Sequence, residues 1–260
     1  MINLKTQHEL DIMRRAGLAL SKVTAELIDA CRVGVKTAEI DRLADRRIRE
    51  AGGRPGFLGY NGFPKSICIS VNDEAVHGIP GPRRIQDGDL VSLDLGLVID
   101  GFWADMGVTV PVGNVSAENM RLVKVTEEAF LKAVEQCVPG NRLGDVSSAV
   151  QRHVEAAGFS VIRQFVGHGI GRNMHEDPQV PNFGRPGTGP ELKPGMTLAI
   201  EPMVNLGSPD VYIKPDGWTV CTVDGLPSSY YEHTVAITKE GALILTAAEA
   251  GLPADRALAG

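Results

Sequence analysis

Residues 90–110, LVSLDLGLVIDGFWADMGVTV, decide the fold of this chain. The pair Asp100-Gly101 is a type I′ turn signal between two stretches that alternate in character, so the segment predicts a β-hairpin. Pairing about that turn sets Gly96 opposite Asp105. Because side chains alternate along a strand, Asp94 shares a face with Gly96 and is the diagonal cross-strand neighbour of Asp105, at roughly 7–8 Å or less. The hairpin therefore predicts two carboxylates close enough to meet one ion.

The two faces of the first strand differ in character. One face is wholly apolar and is predicted to pack on the core; it carries Val91, Leu93, Leu95 and Leu97. The other face carries Asp94 beside small residues that leave room for it. Taken alone, the hairpin also fits an exposed ribbon with solvated aspartates. The second half of the chain favours the buried alternative.

Two glutamates and a histidine farther along the chain stand in matching surroundings. In the stretch MTLAIEPMV, Glu201 shares a strand face with Ala199. Glu232 lies inside the alternating apolar stretch YYEHTVAIT, where an unpaired glutamate is rarely buried. His168 stands between two glycines, which let the backbone approach its neighbours closely.

Together these residues are a hard, oxygen-rich set of candidate metal ligands: Asp94, Asp105, His168, Glu201 and Glu232. Such a set suits two divalent ions that share bridging carboxylates better than one tetrahedral zinc. Two ions about 3.5–4 Å apart can hold a hydroxide between them and use it on an amide. Without metal, carboxylates buried together would repel one another, and at least one would take up a proton.

The chain is also self-similar. Two pairs of segments match: 30–53 with 136–159, and 85–96 with 192–203. In the second pair Asp94 meets Glu201. Each half reads helix, turn, helix, then strands that carry a carboxylate, which predicts pseudo-symmetric halves at about 1–111 and 116–250 in a single catalytic domain, 1–260. Chance similarity between two amphipathic helices is the alternative.

Helix and strand signals form two α-then-β blocks. Thr6 and Glu9 have the form of a capping box, and Thr37 and Ser116 are predicted to cap later helices. Strands are predicted at about 66–71, 89–98, 102–111, 196–204, 218–223 and 231–238. This order predicts an α+β fold with an antiparallel sheet, in which the Gly/Pro-rich segment 181–195 is a loop.

Composition excludes several classes of protein. A formal charge of −6 without a Lys/Arg-rich run argues against a nucleic-acid partner. The first residues lack the apolar core of a signal peptide, and no apolar run approaches the roughly 18 residues of a membrane span. Four cysteines without a C-x-x-C pair predict reduced thiols in a cytosolic protein.

Five features of the sequence belong together: FVGHGIGRNMHEDPQV, AIEPMV, YYEHTVAI, the D-x10-D spacing of the hairpin, and the lead-in GYNGFPKSICISVNDEAVHGIP. They cover nearly the whole chain and resemble the methionine aminopeptidases of type I. The resemblance implies the pita-bread fold, a curved antiparallel sheet with two helix pairs related by a pseudo-twofold axis. Only 30 residues separate Glu201 from Glu232. The chain therefore lacks the insertion of the type II enzymes. The resemblance is to the minimal bacterial type, which is expected to have no zinc-binding extension like that of eukaryotic type I enzymes.

The resemblance implies how the ligand set is divided between two divalent ions, Co, Mn, Fe or Zn. Asp94 and Asp105 would bind one ion. Asp105 and Glu232 would bridge the pair, and His168 and Glu201 would complete the other ion. Glu201 would also act in catalysis, accepting a proton and passing it to the leaving amine.

Two histidines outside the ligand set have implied roles in catalysis and substrate binding. His77 would hydrogen-bond the scissile amide or the departing amine, and His175 would polarise the substrate carbonyl and the developing oxyanion. From the residues alone, a turn-capping His77 and a His175 that orients His168 are the alternatives. The resemblance also implies a monovalent cation near Asn72 and Ser228.

The implied specificity pocket is apolar, as a thioether side chain requires. Its walls are Tyr60, Phe63, Cys68 and Trp218, with His77 at the edge. Ordinary packing is the alternative for each of these. This chain departs from the family at Phe63, where Tyr is common, and at Met174, where Phe is common, so the shape of the pocket should differ.

The resemblance predicts a methionyl aminopeptidase, a metallo-hydrolase that removes the initiator methionine when the second residue is small. A metal-bridging hydroxide would attack the first peptide carbonyl. The enzyme would be a cytoplasmic monomer acting on the N-termini of nascent chains at the ribosome, with no direct nucleic-acid or membrane partner. A proline-directed aminopeptidase or prolidase of the same fold, or a non-catalytic binding protein of that fold, are the alternatives.

Overall fold

A computed structural model describes residues 1–247. Within this range the chain forms four α-helices and fourteen β-strands in two α-then-β blocks. The helices are α1 (Gln7–Ala30), α2 (Thr37–Glu50), α3 (Ala117–Glu135) and α4 (Leu143–Ala156). The division into symmetric halves stays a prediction, and the predicted ends at 250 and 260 lie outside the described residues.

The strands vary from two to eleven residues in length. They are β1 (Arg54–Pro55), β2 (Cys68–Val71), β3 (Glu74–Val76), β4 (Leu90–Ile99), β5 (Phe102–Pro111), β6 (Ser160–Val161), β7 (Gly167–Gly169), β8 (Glu176–Val180), β9 (Thr197–Ile200), β10 (Met203–Asn205), β11 (Val211–Ile213), β12 (Val220–Thr222), β13 (Ser228–Thr238) and β14 (Gly241–Ile244). A single 3₁₀ turn, Tyr60–Gly62, precedes β2.

Eleven of these strands form one sheet, whose main path runs β1-β4-β5-β13-β9-β7-β8. A smaller sheet of β11, β12 and β3 completes the strand structure of residues 1–247. Neighbouring strands pair antiparallel, as in the central β4–β5, β5–β13 and β13–β9 ladders. The predicted α+β class is confirmed.

The predicted hairpin register is confirmed. Gly96 pairs with Asp105, and Asp94 pairs with Gly107, so the two aspartates are diagonal neighbours on one face. On the other side of β5, Gly107 pairs with Glu232 of β13. Gly107 therefore lies between two carboxylate-bearing positions of the sheet.

The opposite face of the sheet packs against the helices. Leu93 and Leu97 of β4 are fully buried in the same apolar cluster as Leu20 of α1 and Phe130 of α3. One face of the central strands is thus core, and the other is left for polar side chains. In the described part of the chain, no helix is long and apolar enough to cross a membrane.

The helix starts follow the sequence at two of three predicted caps. Thr6 and Glu9 form the reciprocal bonds of a capping box, and the Ser116 hydroxyl accepts from a backbone N–H in the first turn of α3. The prediction for Thr37 was wrong: it is the first residue of α2, and its hydroxyl exchanges hydrogen bonds with the backbone of Gly81. Backbone carbonyls of that neighbouring loop accept from the first N–H groups of α2, so no side-chain cap is needed.

The strand predictions were correct in the long elements and incomplete in the short ones. The stretch predicted at 196–204 divides at Glu201-Pro202, because proline has no N–H to give to a ladder. The short strands β7 and β8 were missed, since their glycines, proline and charged residues do not alternate. The segment 181–195 is a loop, as predicted, apart from one isolated bridge at Glu191.

We expect Gly107→Ala to lower the free energy of unfolding by about 1–3 kcal/mol, the usual cost of overpacking. A Cβ at Gly107 would lie 2.1 Å from Cε1 of the buried Tyr230 ring. Gly81→Ala is the matched control, because a Cβ there would meet only a carbonyl oxygen, that of Ile79, at 3.9 Å. Urea unfolding of both variants measures the difference. Equal losses in the two would contradict the steric explanation.

Candidate metal centre and substrate cavity

The five predicted ligands come from five separate strands or strand ends of the large sheet. Asp94, Asp105 and Glu232 lie on β4, β5 and β13, and His168 lies on β7. Glu201 follows β9 directly, where Pro202 ends the ladder. Because β13 and β7 both pair with β9, the sheet brings residues from distant parts of the chain to one face.

The side chains converge there. Ligand atoms of Asp105, His168 and Glu232 all lie within 4.8 Å of one another. The Nε2 atom of His168 is 3.8 Å from Oε1 of Glu201. Asp94 enters the same cluster from β4, where it faces Glu232 across Gly107. The structure thus brings all five residues together.

The carboxylates of the cluster strongly perturb one another. Burial, followed by repulsion from Glu232, raises the pKa of Asp94, Asp105 and Glu201 well above their ordinary values. Burial also raises the pKa of Glu232 to about 7. Burial lowers the pKa of His168 to about 4, so its imidazole is neutral at neutral pH and offers a lone pair.

Within residues 1–247, two buried carboxylate oxygens have no hydrogen-bond partner: Oδ1 of Asp94 and Oδ1 of Asp105. Buried charged oxygens without a partner are costly, and a divalent cation would satisfy them. The donor set of four carboxylates and one imidazole is also the kind that transition-metal ions accept. The residues therefore fit a divalent metal centre.

Hydrogen bonds hold the ligands in place from behind. His168 directs Nδ1 at the carbonyl of Gly169 at 2.9 Å, which leaves Nε2 facing the acidic cluster. The Thr234 hydroxyl accepts from the backbone N–H of Asp105 at 2.9 Å. The Tyr230 hydroxyl donates to Glu232. Contacts of this kind fix ligand orientation in metal sites.

A cavity of about 210 Å³ opens beside the acidic cluster. Its lining is mostly aromatic and apolar: Phe57, Tyr60, Asn61, Phe63, Cys68, His77, Asp94, Met174, His175 and Trp218. All four predicted wall residues and both predicted histidines are present. Asp94 belongs to the cavity and to the acidic cluster, so the two are continuous.

The two histidines of the cavity are held differently. Nδ1 of His175 is 2.7 Å from the hydroxyl of Tyr60, and its ring lies 4.3 Å from that of His168, centroid to centroid. His77 has a left-handed backbone with φ of 59°, and its ring makes an edge contact with Phe165. Burial, aided by His175, lowers the pKa of His77 to about 4. Burial also lowers the pKa of His175.

The two residues predicted near a monovalent cation do meet. The backbone N–H of Ser228 donates to the carbonyl of Asn72 at 2.9 Å. The Ser228 hydroxyl donates to the Val204 carbonyl, and the Asn72 amide bonds to Asp89. The cation itself stays a prediction.

Sequence reasoning missed three residues of the site. Phe57 and Asn61 line the cavity, and Tyr230 bonds Glu232. The sequence offered only Gly96, which leaves space beside Asp105; in the structure the Phe57 ring occupies that space, 2.7 Å from where a Cβ at Gly96 would lie. No local pattern distinguishes Asn61 from an ordinary turn residue.

Comparisons with known proteins agree with this geometry. The model of metallopeptidase family M24 matches residues 11–239. The methionine aminopeptidase of Clostridium perfringens is 52% identical over 95% of this chain and 99% of its own length. Methionine aminopeptidase 1 of Bacillus subtilis is 50% identical over the same shares of the two chains. The crystal structure of methionine aminopeptidase from Thermotoga maritima matches with a TM-score of 0.93 at 45% identity, over 95% of this chain and 99% of that one.

The chain belongs to metallopeptidase family M24. Its fold is the pita-bread fold of that family, as the resemblance implied. Prolidase from Pyrococcus furiosus has the same fold, with a TM-score of 0.76 at 25% identity, and there this chain covers 66% of the other's length. Membership in M24 also implies the use of divalent metal, in agreement with the ligand cluster.

For the metal-free M24 chain, we expect the free energy of unfolding to fall as the pH rises from about 7 to about 8. All four carboxylates have raised pKa values in the folded state, to about 7 for Glu232, so the folded protein keeps protons that the unfolded chain has released. Stability from such groups is full below the unfolded pKa and is lost as the pH rises through the folded pKa. Between about pH 7 and 8, histidines with an ordinary pKa are mostly deprotonated and cysteines with an ordinary pKa are mostly still protonated. Such groups therefore add little to the pH dependence.

Each retained proton contributes a slope of about 1.4 kcal/mol per pH unit. Urea unfolding in chelator at several pH values within the window measures the slope. Asp105→Asn should reduce it, and saturating divalent ion should remove it, because the carboxylates are then ionised in both states. A flat profile in chelator would show that the cluster is ionised without metal.

Proposed function

We propose that this chain is a methionine aminopeptidase, which hydrolyses the first peptide bond of chains that begin with methionine and a small second residue. The observation that carries the proposal is the continuity of the apolar cavity with the acidic cluster at Asp94. A peptide that places its first side chain in the cavity brings its α-amino group and first carbonyl to the ligand cluster. The named activity of relatives at 52% and 50% identity supports the same conclusion.

The cavity suits an unbranched thioether. Phe63 and Trp218 make an edge contact with ring centroids 5.1 Å apart, and Tyr60 makes another with Trp103 at 5.6 Å. Such rings form a fixed apolar wall, against which the flexible, polarisable methionine side chain packs well. Met174 on another side of the cavity is itself flexible, so the pocket should adapt to norleucine.

We propose that the five residues hold two divalent ions, of Co, Mn, Fe or Zn. Asp94 and Asp105 would bind one ion, and His168 and Glu201 would complete the other. Asp105 and Glu232 would bridge them, and both belong to the set whose ligand atoms lie within 4.8 Å of one another. When bound, such ions supply a strong nucleophile from water at neutral pH and polarise the scissile carbonyl.

The protein's own groups then move the protons and orient the substrate. Glu201 accepts the proton of the attacking water and passes it to the leaving amine. Its side chain keeps 13% of its surface exposed, and Oε1 lies 3.8 Å from Nε2 of His168 in the cluster. Its backbone carbonyl accepts from the Asn182 amide at 2.9 Å, which fixes the residue at the end of β9.

His77 and His175 act as neutral hydrogen-bond donors at the cavity. Their lowered pKa values keep both rings uncharged at neutral pH. His77 would bond the scissile amide or the departing amine, and His175 would stabilise charge that develops on the carbonyl oxygen. The bond between the Tyr60 hydroxyl and Nδ1 of His175 leaves the other ring nitrogen for the substrate.

We also infer that the substrates are nascent chains and that the enzyme works as a cytoplasmic monomer. An initiator methionine is exposed as a chain leaves the ribosome, which makes that the place where the reaction is useful. The four free cysteines are buried, in agreement with a reducing compartment.

The tripeptide Met-Ala-Ser should be cleaved after its first residue by the metal-loaded protein, and Ala-Pro-Ala should not. The apolar cavity selects the first side chain of the peptide. No feature of the sequence predicts a site that recognises proline as the second residue. Norleucine should replace methionine with modest loss, since one apolar group in such a pocket changes the barrier by about 1–3 kcal/mol. Steady-state kcat/KM for Met-Ala-Ser, its norleucine analogue and Ala-Pro-Ala measures these preferences. Preferential cleavage of Ala-Pro-Ala would favour a prolidase, and metal-loaded protein without activity would favour a binding role.

Variants of a ligand and of a cavity histidine should separate metal binding from catalysis. Glu201→Ala should lose both metal and activity, because Glu201 is proposed as ligand and proton carrier. His77→Ala should keep its metal and fold while kcat falls about 10²-fold, the scale of one positioned hydrogen bond in the transition state. Its KM should change less. Elemental analysis and kinetics test both variants. Loss of metal from His77→Ala would make His77 a ligand and overturn the five-residue assignment.

A further inference from the structure

An ion pair between the N-terminal segment and the first residue of β8 is almost completely buried. Nζ of Lys5 lies 2.6 Å from Oε2 of Glu176, and the two side chains are only 6% and 5% exposed. By contrast, Lys65 and Lys214, which also pair with carboxylates, keep 33% and 34% of their side chains exposed. Desolvating two charges is unfavourable unless further hydrogen bonds fix both groups in good geometry. Surface electrostatics therefore does not explain why these two charges are buried.

The other carboxylate oxygen of Glu176 makes a further hydrogen bond. Oε1 accepts from the backbone N–H of Asn173 at 3.1 Å. This bond closes a turn whose two inner residues are Met174 and His175, and both line the substrate cavity. Burial acts to raise the pKa of Glu176. The bonds from Lys5 and Asn173 outweigh that effect and hold the pKa below its ordinary value.

Lys5 is itself fixed at both ends. Its backbone N–H donates to the Gly195 carbonyl at 2.7 Å, and its ammonium also donates to the carbonyl of Asn3 at 3.2 Å. Its side chain passes directly beneath the loop: a Cβ at Gly171 would lie 2.4 Å from Cε of Lys5. The ammonium is thus held between the Asn3 carbonyl and the Glu176 carboxylate, next to Gly171.

We propose that Lys5 is a positioning residue for the reaction: by fixing the Glu176 carboxylate, it sets the turn that presents His175 to the substrate. The inference rests on the proposed function and extends it to a residue that touches neither metal ligand nor cavity. Lys5 acts through His175, because the carboxylate that it holds is one residue from that histidine and closes the turn around it. A displacement of about 1 Å at a catalytic group can lower the rate 10²-fold, so a loosened turn should be costly.

The deciding experiment is a double-mutant cycle between Lys5 and His175. Lys5→Met removes the ammonium and keeps an apolar stem of similar length. It is made in the wild-type chain and in His175→Ala, and kcat and KM for Met-Ala-Ser are measured on metal-loaded protein. Lys5→Met should lower kcat about 10-fold or more in the wild-type background, with a smaller change in KM. In the His175→Ala background the same substitution should change kcat less than about twofold, because the group that it positions is gone.

A purely structural role would give a different pattern. If Lys5→Met lowers kcat by the same factor in both backgrounds, or leaves kcat unchanged in folded protein, the proposal is wrong. Lys5→Arg should recover part of the activity, since guanidinium keeps the charge and can reach the carboxylate. Arg47→Met is the control for loss of a cation, because Arg47 pairs with Glu26 between α1 and α2. It should leave kcat unchanged.

A second variant covers the case in which Lys5→Met does not fold, since that substitution leaves the buried Glu176 carboxylate unpaired. The double variant Lys5→Met/Glu176→Gln has no unpaired charge and should fold. It should still have the lowered kcat, because the charge-assisted bond under the turn is missing. Wild-type kcat in this folded double variant would overturn the proposal.

Hydrogen exchange separates failure of this inference from failure of the proposed function. Mass spectrometry of the metal-loaded protein follows the backbone amides of residues 170–177 without any substrate. Lys5→Met or the double variant should speed exchange there and leave the amides of β4 unchanged. If wild-type protein does not cleave the peptide but exchange at 170–177 still becomes faster in the variants, the proposed function is wrong and the positioning role of Lys5 is supported. If exchange at 170–177 is unchanged, Lys5 does not fix the turn, whatever the activity.

Discussion

Mutual repulsion among four carboxylates is the constraint on which this structure depends. Asp94, Asp105, Glu201 and Glu232 are crowded on one face of a sheet. Burial raises the pKa of each, and repulsion from Glu232 raises it further for the other three. A flexible scaffold would relieve the repulsion by letting the side chains turn toward solvent. Here the acids stand on or beside paired strands whose other face is fixed in the core. The unfavourable charge arrangement is therefore maintained by packing, which makes the site a strong attractor for divalent cations.

Glycines make the arrangement sterically possible. Gly107 separates Asp94 from Glu232 and admits the Tyr230 ring, while Gly96 opposite Asp105 admits Phe57. The same two positions that give the carboxylates space thus also bring in a ligand partner and a wall of the cavity. The same two glycines, one on β4 and one on β5, therefore shape both the metal centre and the substrate pocket.

Much of this could be read from local sequence. The register of the hairpin follows from one turn signal and the two-residue period of strands, so the neighbourhood of Asp94 and Asp105 was predictable. Contacts between distant segments were not. Thr37 satisfies the backbone of Gly81 instead of capping its helix, and the pair of Lys5 with Glu176 joins residues 171 positions apart. No periodicity records such contacts, because they depend on how finished elements pack.

The membership of Asp94 in both the ligand cluster and the cavity has a consequence for evolution. A substitution that reshapes the pocket on that side also alters the affinity for metal, so selectivity and cofactor loading cannot drift independently there. The wall where Phe63 meets Trp218 carries none of the five predicted ligands. Divergence in side-chain preference within this lineage should accumulate on that wall. Variant libraries that seek new specificity would keep their metal if they were confined to it.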